Sequence, residues 1–113
     1  MNVVVLRGRL SRPAEERVLR SGTRMMSLEV TVRRAGEKAE SVPVAWFDPP
    51  PAIVLLDEGD EVVVVGRVRR RFFRGNGGTN SRTEVAADEV VPARQKKKAV
   101  HARDKALALL QEW

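Results

Sequence analysis

Apolar and polar positions alternate through the first half of this chain. Val3-Val4-Val5 opens on a β-branched run, after which Leu6, Gly8 and Leu10 fall on one face and Arg7 and Arg9 on the other. Pro13 ends that strand. Arg17-Val18-Leu19-Arg20 is a short strand candidate, followed by turn chemistry at Ser21-Gly22. Met26, Leu28, Val30 and Val32 alternate with Ser27, Glu29, Thr31 and Arg33, the period of a half-buried strand. Ala35-Gly36-Glu37-Lys38 is the hairpin that follows. The next strand, Glu40 to Phe47, contains Pro43, which has no N–H for a ladder and places the strand at an edge or a bulge.

The second half is patterned differently. Pro49-Pro50-Pro51 stops the strand, and Ala52 to Leu56 fits one or two helical turns, because proline is tolerated at a helix start. Asp60 to Phe73 is the longest strand candidate. Val62-Val63-Val64-Val65 within it calls for burial on both faces, and Gly66 allows a bend or a close backbone approach. Gly75-Asn76-Gly77-Gly78 is a hairpin tip, and Thr83 to Val91 returns as a strand that Pro92 ends. Gln95 to His101, with Lys96-Lys97-Lys98, forms a basic connector. Arg103 to Trp113 repeats Ala106, Leu109, Leu110 and Trp113 at helical spacing. So short a helix is marginal alone and is expected to dock on its own domain, another subunit or a partner. Five strands with a short helix between the third and fourth is the order of an OB-fold barrel. The expected fold is therefore all-β, with an OB-fold domain over 1–93 and a basic connector and amphipathic helix over 94–113.

Composition removes most enzyme classes. The 113 residues fit one domain. No apolar run approaches the roughly 18–20 residues of a membrane-spanning helix. The opening Met1-Asn2-Val3 lacks the charged start of a signal peptide, so a cytoplasmic protein is expected. There is no cysteine for a disulfide or thiolate metal site, and the single histidine, His101, cannot build a multi-histidine centre. Asp57, Glu58, Asp60 and Glu61 surround the turn glycine Gly59, where carboxylates are usually solvated. Gly75 to Gly78 lacks the Lys-Ser/Thr ending of a phosphate loop. No catalytic residue, metal or cofactor is expected.

Charge supplies the positive signal. Lys+Arg number 21 against 15 Asp+Glu, a net +6, and residues 94–113 alone hold six basic and two acidic side chains. Such a balance fits a polyanionic partner; the plain alternative is a solvated basic surface. The pattern within Arg67-Val68-Arg69-Arg70-Arg71-Phe72-Phe73-Arg74 favours the partner. On an extended strand Arg67, Arg69, Arg71 and Phe73 share one face at a spacing of about 7 Å, near that of successive phosphates in an unwound strand. Guanidinium groups pair with phosphate or stack on bases, and phenylalanine is a sequence-tolerant platform. A charged edge strand that blocks aggregation is the competing explanation. Arg7, Arg9, Arg33 and Arg34 on neighbouring strands would extend the same basic surface, and Arg74 would follow it. Of Trp46 and Phe47, adjacent on a strand, one is expected in the core and the other exposed; Trp46 is a stacking candidate if it is the exposed one.

These residues carry a resemblance. Asn2-Val3-Val4-Val5-Leu6-Arg7-Gly8-Arg9-Leu10, then Gly59-Asp60-Glu61-Val62-Val63-Val64-Val65-Gly66-Arg67-Val68-Arg69, then Thr83-Glu84-Val85 together resemble the bacterial single-stranded DNA-binding protein family over about residues 2–91. The resemblance implies an OB-fold, a homo-dimer or homo-tetramer, and sequence-independent binding of single-stranded DNA, with RNA left open, in replication, recombination or repair. By position, Phe73 falls where the family has a stacking aromatic, Phe47 near a second one, and Arg69 and Arg71 on basic positions flanking the strand. Two family aromatics find no counterpart near Arg34 to Gly36 or near Ser41. At about 1–3 kcal/mol per stacked base, their loss should weaken binding or move more of it onto salt-sensitive arginine contacts. The family's acidic C-terminal tip is also absent, so the chain looks like a short paralogue in which the C-terminal helix would meet any replication or repair protein. The alternative is a primosome-type OB-fold adaptor acting mainly through protein contacts. No membrane partner is expected.

Overall fold

A computed structural model describes residues 1–50 and 56–112. Six strands run in chain order: β1 (Val4–Leu10), β2 (Glu15–Val18), β3 (Arg24–Val32), β4 (Glu40–Phe47), β5 (Glu61–Gly75) and β6 (Gly78–Pro92). They form one sheet ordered β1-β5-β6-β4-β3-β2, consistent with an OB-fold. β3 also pairs back with β1, at Arg9↔Thr31 and Leu10↔Val30, so the pairings return to the strand they started from. All neighbours are antiparallel except β4 and β6, which pair in parallel at Val44↔Val85 to Trp46↔Ala87.

Six strands replace the expected five because the short second segment pairs with β3. It covers Glu15–Val18 rather than starting at Arg17, and all four residues are exposed on an edge. Arg24 donates its Nε–H to Glu16 at 2.7 Å across this pair, and the carboxylate pushes the guanidinium pKa up. The turns expected at Ala52–Leu56 lie outside the described residues, apart from Leu56, which is buried in the core. Pro43 sits where β4 pairs only with β3, because the parallel pairing to β6 begins at Val44. An edge is where a residue without an N–H belongs.

Inward-facing Leu10, Met26, Leu28, Val30, Val44, Trp46, Val62, Val64, Val85 and Val90 make the main core. Two glycines let the strands cross closely over it. A Cβ on Gly8 would overlap the Thr31 carbonyl oxygen, and one on Gly66 would overlap that of Ala86. Gly66 also marks a register shift: Val65 faces Glu89 and Gly66 faces Ala87, leaving Asp88 as the extra residue of a bulge.

The valine run is buried on both faces for a reason the strand pattern alone did not supply. Val63 and Val65 point outward and are covered by helix α1 (Lys96–Ala108), whose Ala99, Ala102 and Ala106 pack on them with Val91. The basic connector is thus the first two turns of this helix. The buried stripe is alanine, which lets the helix axis approach the valines closely. Leu109 and Leu110, expected on the docking face, are exposed in a 3₁₀ turn over Leu109–Glu112. Trp113 lies outside the described residues.

Candidate nucleic-acid interface

β5 and β6 outrun the main core. The returning strand begins at Gly78 rather than Thr83, and Gly75 pairs with Gly78 across an Asn76-Gly77 turn, Gly77 having φ 97°. The result is a two-stranded ribbon. Arg67, Arg69, Arg71 and Phe73 do share its outer face, as the period of two requires.

The arginine row on that face is internally compensated. Glu84 on β6 lies directly opposite Arg69 and is the buried charged residue among the described ones, 4% exposed. Arg71 donates to it bidentately through one edge of its guanidinium, Nε to Oε2 at 3.1 Å and Nη2 to Oε1 at 3.2 Å. Arg69 Nη2 stands 3.8 Å from Oε2. One carboxylate therefore holds two cations, and the triad keeps a net charge of one. The same two guanidiniums lie against rings: Arg69 is 4.5 Å from the Phe47 centroid and Arg71 5.8 Å from that of Phe73. The flat cations are fixed over aromatic faces, geometry that favours both the ion and the ring. Arg67 is held at 3.3 Å by Asp88, the bulge residue.

Phe47 faces outward into this row, while Trp46 turns inward and is 7% exposed. Trp46 is accordingly a core residue and not a stacking ring. Arg74 falls on the opposite face of the ribbon from Phe73.

Arg7, Arg9 and Arg33 form a separate group. They line a groove between β1 and β3 with Gly8, Thr31 and Glu61. Glu61 holds Arg7 at 2.6 Å and Arg9 at 3.4 Å, whereas no ion pair among the described residues holds Arg33. The single basic surface expected from the strand order is divided. Along the outer face of β5, Glu61 marks the groove, Val63 and Val65 carry α1, and the arginine row begins only at Arg67. Arg34 belongs to neither group; it stands 3.9 Å from Glu37 in the β3–β4 turn.

Sequence reasoning missed Glu84 as part of this site. Its signal was available: an acid on the strand returning through a hairpin, opposite the arginine row. The pairing register that places it there depends on the exact turn at Asn76-Gly77 and on the bulge at Asp88.

Among curated proteins, none matches the chain significantly. A family model described as the single-strand binding protein family matches residues 1–93, which span every strand and stop just before α1. A sheet of this order, with a ribbon of stacked guanidiniums and rings, makes the match coherent: the chain belongs to the single-strand binding protein family.

Proposed function

We propose that this protein binds single-stranded DNA independently of sequence, on the outer face of an OB-fold barrel, and so serves replication, recombination or repair. The observation that carries the reading is the row Phe47, Arg69, Arg71 and Phe73, in which each ring lies beside a guanidinium fixed by Glu84. Rings and planar cations at strand spacing suit bases and phosphates of any sequence. Arg33, Arg7 and Arg9 in the β1–β3 groove offer a second set of phosphate contacts. Assembly into a dimer or tetramer is in keeping with the family. A non-catalytic role fits the family as well.

Fluorescence titration with oligo-dT over a salt series tests this. Binding at low salt that weakens linearly in log–log form is expected. Phe73→Ala should lower affinity about five- to 150-fold at every salt concentration, the equivalent of about 1–3 kcal/mol for a lost stack. No binding at low salt would overturn the reading. That same outcome would favour a primosome-type adaptor, for which the exposed Val100 and Leu107 on the outer side of α1 are the supporting observation.

A further inference from the structure

The β5–β6 ribbon has a second face whose β5 arginines, unlike Arg67, Arg69 and Arg71 on the first, face no carboxylate. Val68, Arg70, Phe72 and Arg74 lie on it, opposite Val85, Thr83, Ser81 and Thr79 in register. Val85 belongs to the main core, so this face carries the inner surface of the sheet out beyond the core. It contains no carboxylate: past Val85 its β6 side is three hydroxyl residues. Among the described residues no ion pair holds Arg70 or Arg74. Phe72 is 67% exposed, against 42% for Phe73, and Val68 is 48% exposed. Asn2 pins the base of this face, its side-chain amide donating to the Val68 carbonyl at 2.7 Å and accepting from the Val68 N–H at 2.9 Å.

We infer that this second face is a further contact for single-stranded nucleic acid. Phe72 stacks on a base, and Arg70 and Arg74, each about 7 Å away along the strand, hold the flanking phosphates. A bound strand then passes around the ribbon and is gripped on both faces. Charge selects the occupant. A cationic face without counter-charge attracts a polyanion and repels a second copy of itself. An apolar protein surface would strip water from Arg70 and Arg74 and give nothing back. Thr79, Ser81 and Thr83 supply hydroxyl donors of the kind that reach phosphate oxygens. The inference rests on the single-strand reading above and extends it from one face of the ribbon to two.

The test is a titration of the full chain with oligo-dT from a few to several tens of nucleotides, using wild type, Phe72→Ala, Phe73→Ala and the double variant Arg70→Ala/Arg74→Ala. All four positions are exposed, and a thermal melt of each variant checks that the fold is kept. For Phe72→Ala the loss relative to wild type should grow with oligonucleotide length, reaching about tenfold or more on the longest. For Phe73→Ala it should already be complete on short ones. The double variant should flatten the salt slope on long oligonucleotides by about 1.4, or 0.7 for each phosphate released. If Phe72→Ala and the double variant match wild type at every length while Phe73→Ala is impaired, the strand uses the Glu84 face alone and the inference fails. If Phe72→Ala alters the molar mass in solution with DNA binding unchanged, the occupant is a second copy and the inference also fails. Wild type that binds no oligonucleotide overturns the underlying reading as well.

Discussion

A carboxylate taken out of water persists only if its charge is answered, and Glu84 is answered twice. Arg71 engages it with two N–H donors on one edge of its guanidinium, and Arg69 stands beside it. Breaking this triad should separate stability from binding. Glu84→Gln keeps the shape but loses the charge-assisted bonds, so a loss of about 1–3 kcal/mol in a denaturant melt is expected. The triad's net charge rises from one to two, so the salt dependence of oligo-dT binding should steepen in the same variant. A variant that merely loosened the fold would lose affinity without that change of slope. Trp46 and Phe47 make the complementary point. They are neighbours in sequence, yet one is core and the other supports Arg69, because successive side chains on a strand face opposite ways.

Helix α1 is held by its contacts rather than by its own sequence. Its first turn is Lys96-Lys97-Lys98, with no acid to complement the positive helix end and no side-chain cap from Gln95. Three alanines against Val63, Val65 and Val91 supply the docking. Ala102 is fully buried, so Ala102→Leu should overpack this contact and cost roughly 1–3 kcal/mol, read as a lower thermal midpoint. The helix in turn fixes what β5 can do. It occupies the outer face at Val63 and Val65 and leaves Arg67 to Phe73 open.

For the whole molecule, the net +6 is less informative than where cations lack partners. Glu61 engages Arg7 and Arg9, and Glu84 and Asp88 engage Arg67, Arg69 and Arg71 on the ribbon's outer face. Arg33, by contrast, enters the β1–β3 groove without an ion pair among the described residues. Arg33→Ala should therefore flatten the salt slope of oligo-dT binding by about 0.7, the value for one phosphate on a single strand. Arg7→Ala should change it less, because a cation already neutralised by Glu61 releases fewer counterions. Measuring both slopes in parallel checks the ordering independently of absolute affinity.

Much of this was legible in the chain itself. Period two fixed the faces of β1, β3 and the arginine row, because side-chain direction along a strand is a local property. Gly66 announced a close approach, and Pro43 an unpaired edge. The family motifs lie on the strands that form the sheet. What depended on tertiary structure were matters of register and docking. Glu84 meets Arg69 and Arg71 only through the pairing of β5 with β6, and one residue of slip would have turned it to the other face. The alanine stripe of α1 is unremarkable as sequence, since a helix face is apolar only relative to what covers it, and two of the covering valines, Val63 and Val65, lie more than about thirty residues away. The number of arginines is written in the sequence; which of them remain free for a polyanion is decided by the carboxylates that folding places beside the others.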